Sequence, residues 1–384
     1  MAGRKKGLIL FITLAVFVVL SGNIKNINLN KRALVIGMGI DKVDGEYELT
    51  IQTFMAKQIS DSSPDTSKAL TVSAKGATVD KSVAALNTKT GKTLSFALCY
   101  VVIIGEGMKD GGFIEALDFL INKSDTASNA MVLYGGGTAK EIMKIDSPIN
   151  SSSMILLHEM LADKQAREYC TKTIKDFNSD YYSDSKTSFM PVLTKIQGGQ
   201  DIENSSGEEE DKEKKDYYQI TETAIFKEDK LLLTLDKSET FSYGFLRRDK
   251  TKGTFGARLG EKNVTFDTDR KRLRIKYDIK DMTCKIDVKV FLNVSEIIRS
   301  GGAAEQNETD RVFLTDEEKR TVAQNIKEGI VLLTAKCKAA GADILYLNDN
   351  FYQRYGKKWK AAADGNGNYL DKISEKINVS VETV

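Results

Sequence analysis

Residues 33–52 read ALVIGMGIDKVDGEYELTIQ and predict two antiparallel β-strands, and the rest of the fold can be built outward from them. Leu34 to Ile40 is short, apolar and β-prone, and Asp44-Gly45 is a strong signal for a hairpin turn. Past the turn, polar side chains alternate with larger apolar or hydroxyl-bearing ones, so one face of the second strand is expected to be buried. The positions expected on that face are Tyr47, Leu49, Ile51 and Thr53.

Strand-like and helix-like patterns alternate after this hairpin. The segment from Leu94 to Glu106 predicts one fully buried strand, because nearly every side chain in it is apolar. The alternation predicts an N-terminal α/β domain over residues 30–150. Its other predicted elements are a strand at Leu70–Ala74, a helix near Thr78–Leu86, a helix at Phe113–Ile121 and a strand at Met131–Tyr134.

A middle domain is predicted over residues 151–262. It opens with a helix at Ser151–Glu168 and continues with a strand at Phe189–Ile196. Residues 198–216 then form an acidic stretch with almost no apolar side chain. Such a segment cannot bury enough apolar surface to offset the entropy lost on ordering, so it is predicted to be a disordered surface loop. Two strands joined by a Glu228-Asp229 turn follow it.

The last third of the chain predicts a sheet packed on one long helix. Apolar and charged side chains alternate from Leu273 to Ile279 and again from Ile286 to Val294, which predicts two neighbouring antiparallel strands. Thr315 and Glu318 have capping-box spacing at the start of a helix over residues 316–340. One apolar stripe follows this helix, which predicts that it packs against the strands. The stripe consists of Val322, Ile326, Ile330, Leu333 and Cys337.

The C-terminal α/β domain is predicted over residues 263–384, with a last strand at Ile377–Val381 that returns to the sheet. Taken with the preceding segments, this predicts an α+β (mixed α/β) protein of three domains. Its sheets are expected to be mixed and antiparallel, with the C-terminal sheet packed on the long helix.

Residues 1–23 have the layout of a signal or anchor segment. Arg4-Lys5-Lys6 precedes an apolar run from Leu8 to Leu20. As a helix this run would span only ~20 Å, which is short of a ~30 Å hydrocarbon core. Basic residues before the run predict a cytoplasmic N-terminus and an extracytoplasmic body.

Leu20-Ser21-Gly22 resembles the start of a lipobox, the motif in which a following cysteine receives a diacylglyceryl group. Asn23 stands at that cysteine position. An asparagine amide cannot form the thioether bond to lipid, so no lipid attachment is predicted here.

Composition narrows the classes of partner. The chain has 384 residues, with 56 Lys and Arg against 54 Asp and Glu. It therefore lacks the basic excess of a nucleic-acid-binding protein, and no nucleic-acid partner is predicted. Four cysteines are widely spaced and predicted to be buried free thiols. Pairing of Cys284 with Cys337 stays open, because it requires their Cα atoms to lie within ~7 Å.

The sequence predicts no catalytic, cofactor or metal site. His158 is the single histidine, and Ala162 occupies the position where a zinc-protease helix carries its second histidine. Gly105 and Gly107 begin like a dinucleotide-binding loop, but Asp110 stands where the third glycine is needed. Residues 135–137 are all glycine and precede a helix. An anion-binding turn is one interpretation, and a plain flexible turn is the preferred one.

The order of these segments resembles the Ger(x)C, or GerAC-like, family, the C subunits of spore nutrient-germinant receptors. The resemblance runs from about residue 18 to the end of the chain. The positions that carry it are Gly37, Gly39 and Asp41 in the opening strand, Phe226-Lys227 and Lys230-Leu231 in the middle hairpin, Glu296 at a strand end, and Asp343, Tyr355 and Trp359 in the terminal helical segment.

The resemblance implies a non-enzymatic protein on the outer face of the spore inner membrane. It would act with a multi-pass A subunit and a transporter-like B subunit in nutrient-triggered germination. Because Asn23 replaces the usual cysteine, three arrangements stay open. The N-terminal segment could be an uncleaved anchor, which is preferred; attachment could run through the partner subunits; or the body could be released after cleavage.

Two other classes of function stay open on sequence grounds. One is an extracytoplasmic protein that binds a small molecule and delivers it to a membrane transporter, although the chain has no internal repeat or symmetric half. The other, a hydrolase with a carboxylate site, has only unpaired candidates such as Asp41 and Asp44.

Overall fold

The computed structural model describes residues 31–55, 69–122, 128–145, 152–163, 168–196, 216–247, 253–299, 314–363 and 368–384. The predicted anchor segment at residues 1–23 lies outside these ranges, and so does nearly all of the predicted acidic loop. Within them, two sheets and ten helices form a mixed α+β fold, as predicted.

A nine-stranded sheet occupies the first two thirds of the chain. Eight strands follow the order β3-β2-β1-β5-β6-β7-β8-β9, and β4 pairs beside β5 on β1. The central pairs β1–β5, β5–β6 and β6–β7 are parallel, and the pairs toward both edges are antiparallel. Its strands are β1 (Arg32–Val43), β2 (Glu46–Met55), β3 (Leu70–Gly76), β4 (Thr93–Ser95), β5 (Val101–Ile104), β6 (Met131–Gly135), β7 (Thr187–Ile196), β8 (Tyr217–Lys227) and β9 (Lys230–Leu235).

The predicted hairpin is confirmed as β1 and β2. Asp44 and Gly45 both have positive φ angles, 56° and 83°, which is the backbone that a two-residue hairpin turn requires. The prediction of one strand over Leu94–Glu106 is wrong. That segment contains β4 and β5, which pair with β1 at Leu34↔Ser95 and Gly37↔Val101. Five residues separate Ser95 from Val101, whereas only two separate their partners Leu34 and Gly37 on β1. The five intervening residues therefore cannot continue as a strand paired with β1.

Six helices pack around this sheet. The helix predicted at Ser151–Glu168 is shorter than expected, because α4 ends at Ala162. A helix that the sequence did not indicate, α5, is the next described helix along the chain. The six are α1 (Val79–Thr90), α2 (Ile114–Asn122), α3 (Ala139–Met143), α4 (Ser153–Ala162), α5 (Ile174–Tyr181) and α6 (Lys237–Leu246).

The second sheet has four strands in the order β10-β11-β12-β13. The two long alternating strands are antiparallel neighbours, as predicted, and β13 runs parallel to β12 at the edge. The strands are β10 (Thr254–Leu259), β11 (Lys262–Asp278), β12 (Thr283–Arg299) and β13 (Ser374–Thr383), and the accompanying helices are α7 (Asp316–Ala339), α8 (Leu347–Tyr355), α9 (Lys357–Ala363) and α10 (Tyr369–Lys372).

Helix α7 confirms the capping-box prediction. The Thr315 side chain accepts a hydrogen bond from the Glu318 backbone N–H, and the Glu318 carboxylate accepts one from the Thr315 N–H. Its apolar stripe is buried against the second sheet, also as predicted. Gly341 follows the helix with a φ of 75°, a conformation that suits glycine at a helix end.

Three apolar clusters form the core. One packs on each face of the nine-stranded sheet, and the third lies between the second sheet and α7. The third cluster also includes Phe189, Ile225 and Leu235 from the nine-stranded sheet. The two sheets therefore share one apolar core where they meet.

The predicted domain boundaries can be placed on this fold. Strands from both sides of residue 150 lie in the nine-stranded sheet, whereas β10, from the predicted middle domain 151–262, lies in the second sheet. The division into residues 30–150, 151–262 and 263–384 stays a prediction about separate folding units.

All four cysteines are buried free thiols, as predicted. Cys284 and Cys337 belong to the same apolar cluster but do not form the disulfide that the sequence left open. Burial raises the pKa of each of these two thiols to about 12. They stay protonated near neutral pH and behave as small apolar side chains.

Candidate functional site at the junction between the two sheets

The motif residue Asp41 lies at the end of β1, where its carboxylate binds the start of α3. Oδ1 accepts a hydrogen bond from the Ala139 N–H at 2.8 Å, and Oδ2 accepts one from the Lys140 N–H at 3.0 Å. Asp41 is only 2% exposed, and burial raises its pKa although these backbone hydrogen bonds oppose the shift. The glycine turn at residues 135–137 therefore leads to the start of α3, where the Asp41 carboxylate already occupies the position that an external anion would take.

Gly37 and Gly39 allow helices to pack directly on β1. A Cβ atom at Gly37 would lie 2.4 Å from Met154 Cγ of α4, and one at Gly39 would lie 2.8 Å from Ala139 Cβ of α3. A Cβ at Gly105 would lie 1.8 Å from Asp41 Oδ1. The three glycines make room for packing and for the Asp41 cap, and both oxygens of that carboxylate already accept hydrogen bonds.

The motif residue Asp343 lies between α7 and α8 and is 1% exposed. Its carboxylate accepts hydrogen bonds from the backbone N–H groups of Leu347 at 2.7 Å and Asn348 at 2.9 Å. It also accepts hydrogen bonds from the hydroxyls of Ser185 and Tyr369, each at 2.8 Å. Ser185 precedes β7 of the nine-stranded sheet. One buried carboxylate therefore joins the two halves of the molecule.

A second carboxylate at the start of α8 binds the same loop before β7. The Asp349 side chain accepts hydrogen bonds from the backbone N–H groups of Asp184 at 2.9 Å and Ser185 at 3.2 Å. The Asn348 side chain returns a hydrogen bond to the Asp184 carbonyl at 3.0 Å. The motif residue Trp359 supports this arrangement, because its Nε1–H donates to Asn348 Oδ1 at 2.7 Å.

Trp359 also packs in the aromatic part of the core next to these hydrogen bonds. Its ring is 1% exposed and stacks on Phe351 with the ring centroids 4.7 Å apart. Asp343 and Trp359, which the sequence pattern singled out separately, therefore meet through Asn348 in one hydrogen-bonded unit.

A buried ion pair completes the contact between the halves. Lys172, just before α5, forms an ion pair with Asp180 at the end of that helix. Asp180 also accepts hydrogen bonds from the Tyr346 hydroxyl at 2.9 Å and the Ser188 hydroxyl at 2.8 Å. The Phe189 ring lies beneath two cations, with Lys172 Nζ and Arg247 Cζ each 4.8 Å from its centroid. We call Lys172, Asp180, Ser185, Asp343, Tyr346 and Asp349 the junction cluster.

Burial governs the electrostatics of the junction cluster. Removal from water raises the pKa of Asp343, although its four hydrogen bonds oppose the shift, and it raises the pKa of Tyr346 well above its usual value. Burial also lowers the pKa of Lys172; Asp180 opposes this effect and Arg247 adds to it. Tyr346 has a φ of 53°, an uncommon backbone for a bulky residue, and its hydroxyl bond to Asp180 helps to hold it there.

Glu296 does not join these contacts. It is exposed on β12, opposite Thr265 of β11. The expectation that a strand ends at this acid is wrong, because β12 continues to Arg299. The strand continues because it stays paired with β11 as far as the pair Lys262–Arg299. His158 is half-buried and stacks on Tyr100 with the ring centroids 4.6 Å apart.

Sequence reasoning missed most of the junction cluster. Lys172, Asp180, Ser185 and Asp349 lie in polar segments with no local pattern that separates them from surface residues. Tyr346 is likewise unmarked, because its conformation depends on contacts with residues more than 150 positions away. Only Asp343 was singled out, through the resemblance.

The junction cluster can hold the two halves of the protein together, because its carboxylates accept hydrogen bonds from residues of both halves. Within the ranges given above, no three histidine, cysteine, aspartate or glutamate side chains are grouped closely enough to hold a metal ion. Among the described helices, none has both the length and the apolar character needed to cross a membrane.

Comparison with known proteins places both halves of the chain in one group. Residues 25–195 match the family model of the spore germination protein N-terminal domain, and residues 221–384 match that of the spore germination B3/GerAC-like C-terminal region. The two matches meet in space at the junction cluster, because its residues come from both.

One relative and one solved structure agree with these matches. The chain is 24% identical over 228 residues to YfkR of Bacillus subtilis (strain 168), whose name refers to spore germination. That match covers 57% of this chain, which spans about half (55%) of the relative. The crystal structure of the GerBC protein superposes with a TM-score of 0.53 at 14% identity and covers 91% of this chain and 97% of that one, which shows a shared fold. The chain therefore belongs to the GerAC-like family of spore germination proteins.

Proposed function

We propose that this chain is a non-enzymatic C subunit of a spore germinant receptor, needed with membrane A and B subunits for nutrient-triggered germination. The observation that carries the proposal is the pair of family matches, which together cover both halves of the fold. The junction cluster supports a role that depends on one continuous body, because it binds the two matched regions to each other. The body has no assigned chemistry of its own in this proposal, and it acts by contact with its partners.

The same proposal places the protein on the outer face of the spore inner membrane. Residues 1–23 would serve as an uncleaved N-terminal anchor, because Asn23 cannot carry the lipid that a cysteine would carry. The anchor would replace lipid attachment while leaving the body on the same side of the membrane.

A second candidate is a protein that binds a small molecule and delivers it to a membrane transporter. A cavity of about 490 Å³ between α6, β10 and α7 favours it. Phe241, Phe245 and Phe255 line this cavity, and Glu168 and Asn325 are among its polar residues. This size and mixture are typical of small-molecule sites. The receptor-subunit function remains preferred, because the family matches cover far more of the chain than this cavity does.

Affinity purification tests the proposed function. Full-length tagged protein is extracted in mild detergent from spore inner membranes, and all retained proteins are identified by mass spectrometry. We expect multi-pass A and B subunits to be retained and the bait to keep its Met1–Leu20 peptide. An untagged strain processed in parallel gives the background. A bait that is soluble, cleaved and recovered without these subunits would contradict the proposal and favour ligand screening of the cavity.

A further inference from the structure

Strand β13 is a long strand at the edge of its sheet, and we call its outer side, with which no described strand pairs, the open side. It pairs with β12 in parallel at all ten positions from Ser374 to Thr383, without the register shifts that interrupt the β11–β12 pair. It contains no proline or glycine. Long, regular edges of this kind readily accept another strand, and proteins usually shorten, bend or cover them.

The backbone groups available on the open side follow from the strand's alternation. The Ser374 N–H donates to the Met282 carbonyl at 2.8 Å, and the Val384 N–H donates to the Leu292 carbonyl at 3.0 Å. Even-numbered residues of β13 therefore face β12, and odd-numbered residues face away from it. In the part of the chain that the structure describes, no strand pairs with this outer edge.

The side chains of β13 are complementary to a second copy of the same strand. Consider an antiparallel pair of β13 strands in which Val379 lies opposite Val379 of the second copy, on the two-fold axis. Any two opposing residues, one from each copy, then have numbers that add to 758. Lys376 then lies opposite Glu382 of the second copy, and Asn378 lies opposite Ser380. Each unlike-charge pair occurs twice because of the symmetry. On the other face of the strand, buried Ile377 lies opposite Val381.

The hydrogen-bonding alternation fits the same register. Val379 is odd-numbered, and so are the pairs Glu375–Thr383 and Ile377–Val381 that this register brings opposite each other. These are the residues whose N–H and C=O groups point away from β12, so the register places backbone donors opposite backbone acceptors.

The groove beside the open edge leaves room for this strand. A groove of about 660 Å³ lies between α7 and residues 373–378, and Val331 lines its helix side while remaining 43% exposed. A strand added to β13 would cover that apolar side chain.

We propose that a second copy of this chain docks on β13 by antiparallel strand addition about Val379, joining the two four-stranded sheets into one of eight strands. This inference does not depend on the proposed receptor function. Opposite-charge cross-strand pairs favour pairing and like-charge pairs oppose it. Glu382 also forms an ion pair with Lys289 of its own chain, so the mixture of two charge variants tests the pairing more directly than either variant alone.

The test uses the full-length chain in detergent, with the protein mass measured by light scattering after size-exclusion chromatography. The parent protein is expected to be a dimer. Lys376→Glu and Glu382→Lys each create two like-charge pairs, so each variant alone should dimerise about tenfold more weakly. An equimolar mixture of the two variants restores both unlike-charge pairs, so it should form heterodimers that can be isolated through two different tags.

Two further variants serve as controls. Lys276→Glu reverses an exposed charge on β11, two strands away from the outer edge of β13, and should dimerise like the parent. Val379→Pro removes the N–H at the two-fold axis on an edge strand that tolerates proline, and should be monomeric. A monomeric parent at all concentrations up to its solubility limit would overturn the proposal. Unchanged dimerisation of both charge variants, or failure of their mixture to form heterodimers, would overturn it as well.

Discussion

Replacing Asp343 with alanine is expected to lower the free energy of unfolding by about 3–5 kcal/mol, because several buried donors lose their acceptor at once. Two of these donors are backbone N–H groups at the start of α8, and the other two are the hydroxyls of Ser185 and Tyr369. Water cannot readily replace the carboxylate at a position that is 1% exposed. The substitution also cuts a direct side-chain contact between the two halves.

Urea unfolding followed by the fluorescence of Trp359 measures this loss. Trp359 is the single tryptophan, and it bonds to Asn348 beside Asp343, so its emission reports directly on the junction. Asp343→Asn keeps one acceptor oxygen and should lie between the parent and Asp343→Ala. Glu296→Ala is the matched control, an exposed acid of the same family pattern, and should change stability by no more than about 0.5 kcal/mol. Equal effects of Asp343→Ala and Glu296→Ala would contradict the role assigned to Asp343.

Replacing Asp180 with asparagine is the second substitution with a large expected effect, about 3–5 kcal/mol of stability, because it leaves Lys172 as a buried cation without its counter-charge. The Lys172 side chain is 6% exposed, and Arg247 adds a second positive charge nearby. Lys172→Met in the same chain removes the stranded cation, so the double variant should be more stable than Asp180→Asn alone. If the double variant loses as much unfolding free energy as Asp180→Asn and Lys172→Met lose together, the account is contradicted.

The pH dependence of the Asp180→Asn variant provides an independent check. Burial already lowers the pKa of Lys172 below its usual 10.5, and Asp180 is the main group that opposes the shift. Without Asp180, the folded state binds fewer protons than the unfolded chain between the lowered pKa and 10.5. Stability therefore rises with pH in that window. The difference in free energy of unfolding between the parent and Asp180→Asn should therefore become smaller as the pH is raised from neutrality. A difference that grows with pH would exclude a buried lysine as its cause.

Local features of the fold could be predicted from the sequence because neighbouring residues determine them. Asp44-Gly45 marked the hairpin, and Thr315 with Glu318 marked the start of α7. The alternation in β11 and β12 likewise reflects one buried and one exposed face of a sheet. Each of these signals depends on residues within a few positions of each other.

Features that depend on distant residues could not be predicted in this way. The segment Leu94–Glu106 divides into two strands because of its register on β1, which its own apolar composition does not reveal. Lys172 and Asp180 are covered by residues distant in sequence, namely Tyr346 before α8 and Ser188 and Phe189 of β7. The family pattern marked Gly39 and Asp41, but their packing and capping roles depend on α3, about 100 residues further along the chain.

The measurement that tests the receptor-subunit function most directly is nutrient-triggered germination of spores that retain only the receptor containing this chain. All other germinant-receptor genes are deleted from the strain, and the fall in optical density is followed after addition of a nutrient mixture. We predict that deleting the gene for this chain abolishes the response and that the parent gene or the Glu296→Ala gene restores it. Spores that lack the chain but germinate as fast as those that carry it would contradict the proposed function.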